Sequence, residues 1–333
     1  MNRMDFTQGV VRTRVLEKKL LTKSRYEQMI EAEHVDEVQK ILSDTNYATT
    51  MTETSAEGIS DQLFTKELVK LYEIMWELSP NRKIIDLLAL KYDYHNLKVL
   101  IKEIILEKDF SHLYIPIGIL NITKIKTALI EENLNSIEKH VQAAIVDVLA
   151  DYKVSRDPQR IGIILDRLYV THLYKAATET EIPLFIEFVK TMIDFINIRT
   201  LLRLQKQGKE IGFFQEVLLM NGYINKEALM LAYNDTINDL RNKLKNTKSG
   251  DYLVKALELY EQTHQLSDFE KVMEKSLMDI VAVAKNIHFG PEPLFAYVFM
   301  KEAELKNLRI IIISKANQIP PELIRKRVRD IHV

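Results

Sequence analysis

Three times in this chain an acid, an asparagine, an apolar residue and a base recur at fixed offsets, followed by two more apolar residues. The copies are Asp93, Asn96, Leu97, Lys98, Leu100 and Ile101; Asp194, Asn197, Ile198, Arg199, Leu201 and Leu202; and Glu304, Asn307, Leu308, Arg309, Ile311 and Ile312. Asn96 and Asn197 stand 101 residues apart, and Asn197 and Asn307 stand 110 apart. A chain written this way reads as one unit used three times, each unit close to the common size of a domain.

On a helix the apolar positions of each copy form one stripe. At 3.6 residues per turn the acid falls inside that stripe, the asparagine falls at its edge and the base points away. Each unit therefore sinks an acid and an amide into or beside its core, where they need hydrogen-bond partners such as a neighbouring helix terminus or an arginine. Two readings follow. The triplet is either three equivalent sites or a packing device that fixes how the helices of each unit meet, and the packing device is the simpler.

The rest of the chain is helical in pattern. Val11, Val15, Leu16, Lys19 and Leu20 make a helical stripe near the start. Residues 49–60 read as a polar linker, with Ser60 and Asp61 as the N-cap of the next helix. Asp157-Pro158 and Ile182-Pro183 open helices, proline being tolerated at the first helical position. A corner, Gly118 to Asn121, is echoed 104 residues later by Gly222 to Asn225, each followed by an apolar residue, Ile125 or Leu229. Weaker echoes are Leu21-Thr22 with Tyr26 at the start and Ile319-Pro320-Pro321 with Ile324 at the end. The corners set three repeat units at 1–112, 113–218 and 219–333. No Asn-Gly or Asp-Gly joins two alternating apolar runs, so the fold class is all-α.

Catalytic signatures are scarce. The chain has no cysteine, which excludes disulfides, thiolate metal sites and cysteine nucleophiles. It has no Walker loop, no dinucleotide fingerprint and no His-Glu-x-x-His. Glu31 with His34 and Glu261 with His264 have the spacing used in di-iron bundles, but they belong to different units and lack facing glutamates, so no metal or cofactor is expected. Asp235 and Asp239 read as a solvated helix face. Arg241, Lys243, Lys245 and Lys248 lie where cations complement a helix C-terminus. Arg325, Lys326, Arg327 and Arg329 exceed that need, and form a candidate contact for an acidic partner surface. With a formal net charge of −1 and no aromatic residues in that cluster, nucleic acid is not an expected partner. The opening residues lack a secretory apolar core, and the apolar run near Ile310 is too short to span a bilayer, which points to a cytoplasmic chain. A helical adaptor outside any motor and an all-α metal-dependent enzyme remain as alternatives.

The threefold motif resembles the C subunit of bacterial and archaeal V/A-type ATPases, the counterpart of the eukaryotic d subunit. So do the stretches from Arg12 to Leu21, Leu42 to Tyr47 and Ile319 to Arg325. The likeness spans the whole chain; its departures are Glu304 in place of aspartate and a third corner without glycine. The resemblance implies a funnel of three pseudo-threefold-related helical domains, capping the cytoplasmic side of a membrane proteolipid ring. It implies that the foot of the shaft, made by the D and F subunits, sits in the cavity, and that the chain couples their rotation to ion transport without chemistry of its own. It would place Asp93, Asn96, Lys98, Asp194, Asn197, Arg199, Glu304, Asn307 and Arg309 in structural positions, near or lining that cavity.

Overall fold

The computed structural model describes residues 1–52 and 59–329, and no strand occurs among them. A leading helix α1 (Thr7–Glu17) precedes a first series of α2 (Lys23–Glu31), α3 (Val35–Ser43), α4 (Ala48–Thr52), α5 (Ile59–Leu78) and α6 (Lys83–Leu106). A second series holds α7 (Ile122–Ile130), α8 (Lys139–Ser155), α9 (Pro158–Glu179), α10 (Pro183–Lys206) and α11 (Ile211–Val217). The third holds α12 (Lys226–Leu231), α13 (Ile237–Leu244), α14 (Gly250–Thr263), α15 (Leu266–Ala282), α16 (Glu292–Ala316) and α17 (Pro321–Arg327). No helix among the described residues is long and apolar enough to cross a membrane.

Contacts divide the chain into two compact units, Met1–Leu88 with Glu274–Val333, and Ala89–Met273. In the first, α16 packs against α1, α3 and α5, and α17 packs on α2. In the second, α8, α9 and α10 pack in succession, and α13 packs on α14. Its core gathers Phe195, Ile198, Leu201 and Leu202 of α10 against Phe214, Tyr233, Leu257 and Phe269.

The three motifs lie on α6, α10 and α16, the longest helices among the described residues. The sequence suggests an apolar stripe, yet α10 and α16 bury residues around most of their circumference, from Phe185 to Leu204 and from Glu292 to Lys315. Such helices are central, and every polar group on them needs a partner inside the protein.

Local signals act as read. Asp157 accepts from Gln159 N at 2.9 Å to cap α9, and Pro183 occupies the first turn of α10. Two expectations are corrected. Along α1, Val11 and Val15 face outward, at 61% and 55% exposed, whereas Gly9, Val10 and Thr13 are buried. The reason is closeness: a Cβ on Gly9 would lie 2.6 Å from the Leu78 carbonyl oxygen. Gly9 sets the approach of that face, and the Thr13 hydroxyl turns back to Gly9 O at 2.8 Å. The expected linker at 49–60 is also shorter, because α4 runs to Thr52. Helix α5 already includes Ser60 and Asp61 in its first turn; the remainder, 53–58, lies outside the described residues.

Candidate functional site

Each motif acid is buried and accepts hydrogen bonds from the backbone of a corner. Asp93 Oδ1 accepts from Ile119 N and Leu120 N, both at 2.9 Å. Asp194 accepts from Tyr223 N at 3.2 Å and Ile224 N at 3.0 Å. Glu304 Oε2 accepts from Leu21 N at 2.5 Å. In every case one donor is the residue immediately before a helix N-cap: Asn121 caps α7, Asn225 caps α12 and Thr22 caps α2. The acid thus fixes the start of a short helix through N–H groups that the helix itself cannot use.

The asparagines do a second, equally regular job. Asn96 Nδ2 donates to Ile115 O at 2.7 Å while its Oδ1 accepts from Ile115 N at 2.9 Å. Asn197 pairs in the same way with Leu219, both bonds at 2.9 Å, and Asn307 with Arg329, both at 2.8 Å. A primary amide offers donor and acceptor side by side, so it satisfies both backbone groups of one residue as a neighbouring strand would. Neither aspartate nor leucine can do both.

The bases reach outward. Lys98 pairs with Asp166 of α9 at 2.6 Å and Arg199 with Glu270 of α15 at 2.7 Å, while Arg309 is exposed. The motif therefore holds a helix to a corner, to a linker residue and, through Lys98 and Arg199, to a further helix.

The third copy shows how a departure from the pattern is accommodated. In the first two copies glycine stands three residues before the cap, and a Cβ there would lie 2.1 Å from Asp93 Oδ1 at Gly118 or 2.2 Å from Asp194 Oδ1 at Gly222. In the third, Lys19 holds that place and its backbone cannot come so near. The acid is longer by one methylene, which spans the gap. Its other oxygen, Oε1, accepts from Tyr47 Oη at 2.6 Å and Lys301 Nζ at 2.7 Å. Lys301 also donates to Tyr47 Oη at 2.8 Å and sits 4.2 Å from the centre of that ring. Burial, then the Glu304 charge, pushes the Tyr47 phenol well above its ordinary range, so it stays a donor. Sequence reasoning missed Tyr47 and Lys301 in this role, for the two stand 254 residues apart.

Glu304 reaching Leu21 also decides between the weak echoes. The start of the chain supplies the third corner. Ile319-Pro320-Pro321 is no fourth corner, since it leads into α17, which sits between motif helix and linker residue as α11 does in the preceding series.

Burial raises the Asp194 carboxyl from 3.8 to about 6, outweighing the opposing pull of the Ile224 and Tyr223 N–H groups and of Lys190. A raised carboxyl holds its proton more tightly folded than unfolded. Its contribution is therefore full below the unfolded value and lost as pH rises through about 6. Between pH 4 and 7 wild type should lose roughly 2–3 kcal/mol relative to Asp194→Asn, which lacks this titration. Urea midpoints of the two chains at both pH values check this, and equal pH slopes would refute it.

Of the terminal basic cluster, Arg325 Nη2 meets Glu27 at 2.9 Å and Glu31 at 2.5 Å on α2, and the Arg329 guanidinium lies 2.5 Å from Glu274. Lys326 and Arg327 are exposed. Glu31 is thus engaged by Arg325, His34 occupies the N-cap position of α3, and Glu261 meets Arg241 at 3.2 Å. No group of three possible metal ligands occurs among the described residues.

These features sit on a sequence with clear relatives. Residues 10–327 match the family described as ATP synthase (C/AC39) subunit. The C subunit of the V-type sodium ATPase of Enterococcus hirae is 29% identical over 331 residues, covering 97% of each chain. The C subunit of the A-type ATP synthase of Methanocaldococcus jannaschii is 27% identical over 336 residues, 94% of this chain and 84% of that one. The protein of that name from Thermococcus kodakarensis is 25% identical over 330 residues, 96% of this chain and 89% of that one.

Proposed function

The chain belongs to the ATP synthase (C/AC39) subunit family, and from that membership we propose that it is the non-catalytic central-stalk socket of a rotary V/A-type ATPase. In this reading it works on the cytoplasmic side of the membrane. It joins the rotating shaft, made by the D and F subunits, to the proteolipid ring, and so links ATP turnover to proton or sodium transport. Residues 1–112, 113–218 and 219–333 are its three repeats, arranged as a funnel, with side chains near the motif helices facing the shaft.

The observation that carries the reading is the repeated clamp of motif acid on corner. A part that transmits torque needs stiffness and surfaces rather than a nucleophile. A buried carboxylate spent on backbone N–H groups, with an amide pairing a linker residue, removes the soft joints where a helix meets a loop. Such groups serve rigidity even where an apolar substitute would serve stability.

The test is co-elution of the purified chain with a purified D–F heterodimer over a salt series. A stable complex with one copy of each component is the expected result. Failure to associate at any salt concentration, with the proteolipid ring also supplied, would overturn the proposal.

A further inference from the structure

Residues 1–18 lie outside the link from asparagine-bonded residue to corner that the other repeats show. In two repeats the asparagine-bonded residue runs straight into its corner, Ile115 to Ile119 and Leu219 to Tyr223. In the third, Arg329 and Leu21 take those places from opposite ends of the sequence, and α1 is additional. Arg3 and Arg14 anchor this segment. Arg3 donates to Phe289 O at 2.7 Å and Arg14 to Ala284 O at 2.7 Å.

Where the added segment meets α2, α15 and α16, a cavity of about 400 Å³ opens. Leu21, Val281, Ala296 and Met300 make it apolar inside, and the exposed Lys18, Lys23 and Lys285 ring it. The one carboxylate in its lining, Glu17, is already held by Arg14 Nη1, which donates to both of its oxygens at 2.8 Å. Lys18, Lys23 and Lys285 thus stand exposed at the opening, and the carboxylate of the lining is held by its own arginine.

We propose that this cavity is a docking pocket for a protein partner present in a single copy, entered by an amphipathic helix whose apolar side chains are flanked by acidic residues. The apolar lining takes the side chains, and a volume of this size exceeds what an inorganic anion fills. Flexible lysines suit carboxylates arriving on a helix flank. A single-copy partner suits a pocket built on a segment that the asparagine-to-corner links of the other two repeats lack. Under the function proposed above, on which this inference rests, the shaft is such a partner.

The test uses the full chain and the purified D–F heterodimer, with the variant K18E/K23E/K285E. Because all three lysines are exposed, this chain should fold. A control of equal charge change, K108E/K139E/K153E, sits on the other compact unit. The pocket variant should bind at least roughly tenfold more weakly, with a flatter salt dependence, and the control should bind as wild type does. Unchanged binding by the pocket variant, or an equal loss in the control, overturns the pocket while leaving the socket standing. Absence of wild-type binding overturns the socket itself. If the pocket variant keeps the heterodimer but loses phosphatidylglycerol vesicles that wild type binds, the pocket takes a lipid headgroup and the proposal fails.

Discussion

Glu304→Ala is expected to cost about 4–5 kcal/mol, among the largest single effects available in this chain. The substitution removes the acceptor for Leu21 N–H, Tyr47 Oη and Lys301 Nζ together. It leaves an ammonium whose side chain is 8% exposed without its countercharge. Breaking a buried pair in this way costs far more than the pair contributes, because the remaining charge has lost both water and partner. The double variant is the sharper case. K301M/E304L removes both charges and refills the space, and it should recover at least about 2 kcal/mol of the single loss. Trp76, the only tryptophan, lies on α5 in the same compact unit and donates to Asp86 at 2.8 Å, so its fluorescence reports urea unfolding there. A double variant no more stable than Glu304→Ala would show that the charges are not the source of the cost.

Gly118→Ala should cost about 4 kcal/mol, an unusual penalty for a single methyl group. Two effects coincide. The residue has φ +118°, in the region that favours glycine, and the added carbon would stand 2.1 Å from Asp93 Oδ1. Asp93 would have to retreat from Ile119 N and Leu120 N, leaving N–H groups and a buried carboxylate without their partners. Gly162→Ala is the matched control. It lies inside α9 with nothing within 4 Å of the added carbon, and should gain about 0.5–1 kcal/mol from helix propensity. Urea unfolding followed by circular dichroism distinguishes them, and similar midpoints for both variants would refute this origin of the penalty.

Much of this clamp is legible in the residues, for definite reasons. Helical period alone buries Asp93, Asn96, Asp194 and Asn197, and the glycines of the two corners mark where backbone must approach a side chain. What the residues do not state is direction. Nothing local says that the Asn197 amide turns to Leu219, or that Arg199, which points away from its own stripe, meets Glu270 seventy-one positions later. Such pairings depend on where a distant helix lies. The phase of α1 escapes apolar periodicity, which weighs large residues, because its closest approach is made at Gly9. The terminal arginines read as a free basic patch, since the sequence does not bring Glu27 and Glu31 beside Arg325.

The third clamp also constrains the order of assembly. Asp93 and Asp194 close onto corners within 26 to 30 residues, whereas Glu304 closes onto Leu21 across 283. By loop entropy alone the long closure costs about 2 kcal/mol more than the short ones. On the ribosome the difference is one of time as well. The corner at Leu21 emerges before the other two and must wait, its N–H and the Tyr47 hydroxyl still hydrated, until Glu304, 283 residues later, has been made. The segment Ala89–Met273 can complete its own clamps during synthesis, while the opening residues become native only when the closing ones arrive. A ribosome that stalls before Glu304 thus releases a chain with a finished middle and an unfinished beginning.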